Sequence, residues 1–240
     1  MEIDFSKRSD QIEIMDDLNC KGDVVDQSLY ELDVINQLLG GNAVALKGID
    51  QLLKNLNRST ISITDLGCGS GNMLRLIEKY AIHKKRHVNL MGVDANPNIV
   101  RYAQEHAGPD STIEFKALNI FSEEFRQLKV DVFVATLFLH HFDNEKLVQL
   151  FRQLKQQATI GMVVNDIHRH PVAYYSFKFI STLFSKSPMV KFDGPVSVLR
   201  AFKKDELKNI LAQAGIENYS LTWKWAFRWQ LIIKTARDQS

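Results

Sequence analysis

Only two cysteines, Cys20 and Cys68, occur in the 240 residues. They offer no disulfide framework and no C-x-x-C zinc spacing. Charge of one sign is equally lacking: 30 basic against 28 acidic side chains leave a formal net charge of +2. That is too little, and too evenly spread, for a nucleic-acid-binding surface. The one basic run, His83 to His87, falls between two expected elements and reads as a solvated loop. No uncharged apolar run approaches the roughly 20 residues that span a bilayer. The acidic start, Glu2-Ile3-Asp4, is unlike a signal peptide. These absences point to a soluble, cytoplasmic protein with no integral membrane segment.

What is present is a change of grammar near Arg58. Before it, Val24-Val25, Leu29, Leu32, Ile35 and Leu38-Leu39 recur at helical spacing and stop at Gly40-Gly41. Ala43 to Leu56 repeats the pattern, so residues 1–58 read as an N-terminal helical cap. After it, strand-like runs alternate with helical ones: 61–66, 72–82, 88–94, 98–106, 112–116, 123–128, 130–139, 145–156 and 160–166. Such alternation indicates βαβ units and a parallel sheet covered on both faces. Pro171 to Leu199 is aromatic and irregular and reads as an inserted lid, about 168–202. A helix over 203–214 and two strand-like stretches, 216–224 and 227–234, complete a domain spanning 59–240. The expected fold is α/β: a Rossmann-like doubly wound sheet of seven strands with an antiparallel last strand, the lid entering between strands five and six.

The stretch I-T-D-L-G-C-G-S-G-N-M, residues 63 to 73, follows a strand and opens a helix. Gly67, Gly69 and Gly71 let the backbone turn sharply and approach a ligand, and the helix start offers free N–H groups to an anion, with Asn72 available as its cap. A dinucleotide fingerprint, G-x-G-x-x-G, needs glycine where Asn72 stands, which argues against NAD. The next strand ends at Asp94, at the spacing where a carboxylate accepts from ribose hydroxyls.

D-L-G-C-G-S-G followed by G-V-D-A-N-P resembles the class I S-adenosylmethionine-dependent methyltransferases, over about residues 59 to 234. The resemblance implies S-adenosylmethionine as cofactor, with Asp65, Gly67, Cys68, Gly69 and Gly71 against its methionine part and Asp94 and Ala95 at the ribose. It implies Asn119 and Ile120 beside the adenine, with Asn119 where many members have aspartate, and Thr136 and Leu137 lining the cleft. The segments L-F-L-H-H-F, S-V-L-R-A-F-K-K-D-E-L and E-I-M-D-D-L-N-C-K-G-D-V-V-D-Q-S-L are similar to small-molecule methyltransferases of the ubiquinone type and those associated with plant-type (type III) polyketide synthases.

Four histidines gather at expected strand ends. His140 and His141 close the fourth strand, and alternation along a strand would send them to opposite faces. Asp166, His168, Arg169 and His170 close the fifth. Ligands of open α/β sheets bind at carboxyl ends of strands, so one of His140 and His141 is expected to border the cleft, and the second group arrives at the same sheet edge. No helical i, i+4 pair supports a metal, and none is expected. His168, ahead of His140 and His141, is the candidate base. His170, Arg169, Tyr174, Phe177 and Arg200 are candidates for acceptor binding, Asp166 either joining that wall or capping the lid helix. Phe177, Ile180 and Phe184 share a helical face with Tyr174 and Tyr175 beside it, suggesting a greasy pocket. The expected function is methyl transfer, most simply to oxygen, on a small, aromatic and lipophilic phenolic or polyketide acceptor. C-methylation of a quinol, or a cofactor-binding scaffold without chemistry, are the alternatives; a homodimer is left open.

Overall fold

The β-rich runs condense into one seven-stranded sheet in the order β3-β2-β1-β4-β5-β7-β6, in a computed structural model that describes residues 3–54, 56 and 58–235. The strands are β1 (Thr60–Leu66), β2 (His87–Asp94), β3 (Glu114–Ala117), β4 (Val130–Thr136), β5 (Ala158–Ile167), β6 (Tyr219–Lys224) and β7 (Arg228–Lys234). β1 to β5 pair in parallel, and their apolar residues meet helices on both faces. β7 runs antiparallel to both β5 and β6, because the short connection from β6 leaves room only for a hairpin.

The helices are α1 (Asp23–Leu38), α2 (Gly41–Leu53), α3 (Asn72–His83), α4 (Pro97–Glu105), α5 (Glu123–Arg126), α6 (Asn144–Gln157), α7 (Pro171–Phe184), α8 (Pro188–Arg200) and α9 (Lys204–Gln213). Two apolar clusters, one on each face of the sheet, form the core. Phe125, Phe133, Phe151 and Leu211 lie in one; Ile49, Ile63, Leu74 and Val163 lie in the other. Each fully buried side chain of that size contributes about 1.5–3 kcal/mol.

Three expectations change. The residues before 58 are not a separate cap throughout: Ala45, Ile49, Leu52 and Leu53 of α2 pack into the core. A Cβ at Gly48 would lie 2.6 Å from Val163 Cγ1, so glycine is what lets α2 sit this close to β5. The insertion is ordered as two helices, α7 and α8, each opened by a proline at its first turn. And β4 stops at Thr136, not Leu139. Leu137 turns to a φ of 54°, and Leu139–His141 form a 3-10 turn. An apolar run cannot by itself tell a buried strand from a buried turn; the break is visible only in the backbone.

Residues 3–22 cross the carboxyl edge of the sheet as a strap with little regular structure. Asp193 of α8 accepts from the N–H groups of Ile14 and Met15 at 2.7 and 3.1 Å. Asn96, which caps α4, donates to the carbonyl of Cys20 at 3.0 Å. Helix α1 is fastened to the insertion by Ser28–Ser187 and Glu31–Ser185 hydrogen bonds.

Candidate active site

The loop between β1 and α3 winds through left-handed backbone at Gly67, Gly69 and Gly71, with φ of 63°, 51° and 75°. Neighbours restrict two of these as well: a Cβ at Gly67 would lie 2.1 Å from the Phe138 ring, and one at Gly71 would lie 2.7 Å from Phe115. At Gly69 a Cβ would meet only Leu29, at 3.8 Å, so the backbone here fronts open space beneath α1. Asn72 is not the cap. Gly71 holds that position, and Ser70 Oγ accepts from Asn72 N–H at 3.2 Å while donating to Asp33.

Two carboxylates face the loop. Asp94 accepts from Asn96 N–H at 3.0 Å and from Gly69 N–H at 3.3 Å, and burial raises its pKa. Asp65 is 2 % exposed, and its Oδ1 has no partner among the described residues. Burial, then the neighbouring Asp94, pushes its carboxyl up to about 8. Such an orphaned acceptor loses roughly 1–3 kcal/mol of desolvation that a cationic ligand would restore. Thr136 Oγ1, also buried, is likewise without a partner among the described residues.

The 3-10 turn after β4 brings both histidines to the same side, with ring centroids 4.4 Å apart. This reverses the alternation expected of a strand. Asp166 is the reason: its carboxylate accepts from the N–H groups of Leu139 and His140, from Ile167 N–H, and contacts His140 Nδ1 at 2.7 Å. Burial would raise the Asp166 pKa, but His140 beside it holds it low. Asp166 therefore pins the turn; it does not cap the lid helix, a role taken by His170.

His141 meets the strap. Its Nδ1 lies 2.6 Å from Asp16 Oδ1, and Arg200 Nη1 lies 2.5 Å from Asp16 Oδ2. Burial works against the Asp16 carboxylate, yet the hydrogen bonds and charges of His141 and Arg200 prevail and hold it well below the ordinary range. Glu13 Oε1 lies 3.7 Å from His140 Nε2, 3.9 Å from His141 Nδ1 and 3.5 Å from Arg200 Nη1. Burial pushes the Glu13 carboxyl up to about 7. Glu13, His140 and His141 bring potential ligand atoms within 4.8 Å of one another, but Arg200 already supplies a positive charge there.

Residues 63–161 match the sequence family described as a methyltransferase domain. The fold is shared with a plantazolicin methyltransferase, BpumL, solved with SAH (TM-score 0.64, 15% identity, covering 88% of this chain and 94% of that one). It is shared also with human N-acetylserotonin methyltransferase (TM-score 0.61, 15% identity, 88% and 55% covered). Residues 63–161 thus carry a methyltransferase-domain sequence, set in a fold that these methyltransferases share. Among curated relatives, a carboxy-S-adenosyl-L-methionine synthase of Campylobacter lari is 25% identical over 181 residues, which is 75% of this chain and 74% of the relative.

Within this methyltransferase domain the remaining candidate residues separate into two groups. Cys68 and Ile120 are both buried, Ala95 directly follows Asp94, and Leu137 N–H donates to Asn165 O at 2.9 Å. Asn119 uses its amide oxygen on Phe121 N–H at 2.9 Å, leaving its NH₂ free of that contact. The acceptor-wall group fares differently. Arg169 is 1 % exposed and saturated by Glu206 and the carbonyls of Phe5, Ser6 and Ala201, so it anchors the strap and α9 and has no donor to spare. Arg200 spends its guanidinium on Asp16 and the His140 and His141 carbonyls.

His168 sits apart from His140 and His141, at the β5–β7 edge. It lies beside Trp229, His170 and Phe227, and its Nδ1 accepts from Trp223 Nε1 at 3.2 Å. Burial lowers its pKa, with His170 and Arg169 adding to the effect. Tyr174 packs with Phe5 and Val198, and Phe177 fills the notch left by Gly194. Ile180 and Phe184 turn outward, at 37% and 77% exposure, so the shared face does not close a pocket. Glu13 and Asp16 escaped the sequence reading. E-I-M-D-D carried the resemblance, but no periodicity marks an irregular strap as part of a site.

Proposed function

We propose that the protein is an enzyme that methylates an oxygen of a small aromatic, lipophilic acceptor, phenolic or polyketide in character, at the expense of S-adenosylmethionine. The cofactor would supply an electrophilic methyl on a sulfonium, leaving S-adenosylhomocysteine. The orphaned Asp65 carboxylate and the open face of Gly69 fit its methionine part, and Asp94 fits its ribose. Ala95, Asn119 and Ile120 would border its base.

The observation that carries the reading is the Asp16–His141 pair, 2.6 Å apart at the carboxyl end of β4. With Nδ1–H donated to Asp16, the Nε2 lone pair of His141 is left to take the acceptor's proton. A phenol of pKa about 10 costs about 4 kcal/mol to ionise at pH 7. A positioned base contributes roughly 10²–10⁴ in rate. His140, 2 % exposed and engaged at Nδ1 by Asp166, is better placed to hold the turn. His168 serves as a wall residue in this scheme, with His170 beside it. The strap, α1 and the insertion exclude water, which an in-line displacement needs. A lipophilic acceptor is supported by the aromatic insertion, whose Tyr175, Phe179, Leu183 and Phe184 remain exposed.

The test is mass spectrometry of products after incubation with methyl-labelled cofactor and phenolic, pyrone and quinol acceptors. Label on a phenolic or enolic oxygen is expected. Label on ring carbon of a quinol would replace O- by C-methylation. Tight cofactor binding with no labelled product from any acceptor would leave a scaffold protein.

A further inference from the structure

On the α2 side of the sheet, beyond the cofactor loop, a cation is buried with two of its nitrogens lacking hydrogen-bond partners among the described residues. Arg228 opens β7 and is 4 % exposed, and its Nε and Nη1 have no hydrogen-bond partner among the described residues. The side chains around it are neutral amides. Asn36 Nδ2 donates to Asn42 Oδ1 at 2.5 Å, Asn165 Nδ2 donates to Gly41 O at 3.0 Å, and Gln230 Nε2 donates to Val44 O at 2.6 Å. The acid that acts on it is Asp166, which points to the other face of the sheet, committed to the histidine turn. Burial accordingly lowers the Arg228 pKa to about 10.

A second positive pole converges on the same place. A Cβ at Gly41, the first residue of α2, would lie 2.7 Å from the Arg228 guanidinium carbon. The free N–H groups of a helix's first turn, and the positive end of its dipole, favour an anion. A guanidinium against a helix N-terminus is thus an unfavourable pairing unless a negative group joins them. The neighbourhood is unfinished in other ways. Asn165 Oδ1, in a residue with no exposure, and Thr136 Oγ1, its register partner on β4, are also without partners among the described residues. With Asp65 Oδ1 they make a row of unused polar atoms along the carboxyl edge from β1 to β7.

We propose that Arg228, with the N-terminus of α2, is the receptor for a carboxylate that enters with one of the two substrates. Charge-assisted hydrogen bonds to a carboxylate are what a guanidinium with unused donors on Nε and Nη1 offers. The inference rests on the methyl-transfer reading only for the identity of those substrates. If the carboxylate belongs to the acceptor, the protein prefers aromatic acids over neutral phenols. If it belongs to the cofactor, Arg228 and Asp65 hold opposite ends of one amino-acid group.

The experiment compares the wild-type chain with Arg228→Met and Arg228→Lys, each checked by circular dichroism. Calorimetry measures S-adenosylmethionine, its decarboxylated analogue and salicylate; turnover is measured on an alkylated hydroxybenzoate and its decarboxylated phenol. Arg228→Met should lose 10-fold or more in affinity for the carboxylated member of one pair while its carboxyl-free counterpart is unaffected. Arg228→Lys should fall between. The pair that responds names the source. Without ligand, Arg228→Met should melt no lower than wild type, since it removes a buried charge with unsatisfied donors. A lower melting temperature with every carboxylate bound as before overturns the proposal and makes Arg228 a structural residue. If no acceptor is methylated, the functional reading fails, while the cofactor and salicylate isotherms still decide the role of Arg228.

Discussion

Glu13→Gln isolates one titration that the fold has moved into the neutral range. Glu13 is 4 % exposed, its Oε2 accepts from Ser197, and its Oε1 faces His140 Nε2 at 3.7 Å. Burial dominates and lifts the carboxyl from 4.5 to about 7, against the pull of His141, Ser197 and Arg200. A carboxyl with a raised folded pKa binds its proton more tightly in the folded chain, so its contribution is complete below the unfolded pKa. Between pH 4.5 and 7 the folded chain keeps a proton that the unfolded chain has released, and stability declines as pH rises. At about 1.4 kcal/mol per pH unit of separation, the loss comes to about 3 kcal/mol by pH 7 and then levels off. Glutamine copies the protonated form and cannot ionise. The variant should therefore gain on wild type steadily from pH 5 to 7 and hold a constant lead from pH 7.5 upward. For a chain of this length that lead is roughly 6–12 °C in melting temperature. Thermal melts of both proteins at half-unit steps from pH 5 to 8.5 give the comparison. Parallel curves across that range would mean that Glu13 is ionised throughout and that burial does not govern it.

Asp94→Ala should weaken S-adenosylmethionine by roughly 1.5–3 kcal/mol, the size of lost hydrogen bonds to a charged acceptor; unchanged calorimetric affinity in a folded variant would remove the ribose assignment. His141→Gln should lower kcat by 10²-fold or more with cofactor affinity preserved, whereas His168→Gln should act mainly on acceptor KM. The reverse ranking by steady-state kinetics would return the base to the β5 edge. Activity should survive a strong chelator, because Arg200 sits where a cation would serve Glu13, His140 and His141. A loss restored by a divalent ion would establish a metal centre in that cluster.

Much of the architecture was legible because it is written in local periodicity. Every strand of the parallel sheet is legible in its apolar run, and the G-x-G-x-G spacing foretells the turn that brings Gly69 to Asp94. The errors share a cause. Leu137 leaves the strand through a backbone conformation that no side-chain pattern announces, so Leu139 to His141 was read as strand. Arg169 and Arg200 read as substrate cations because their partners, Glu206, Asp16 and the carbonyls of Phe5 and Ala201, are distant in sequence. Glu13 and Asp16 were invisible for the same reason. What depends on three segments meeting cannot be found in any one of them.

That same convergence sets an order of events during folding. Asp16 contacts His141 across 125 residues, and Arg200 reaches the His141 carbonyl across 59. Contacts of such long separation form after the local ones, once intervening elements have fixed their ends. The strand pairing of the sheet does not involve the strap; the histidine turn does, for its carboxylate partner. A refolding chain should regain its far-ultraviolet signal first and its methyl-transfer activity later, with the last phase belonging to the docking of residues 3–22. Residues 3–22 are thus placed last, and until they close, the chain is folded but His141 lacks its Asp16 partner.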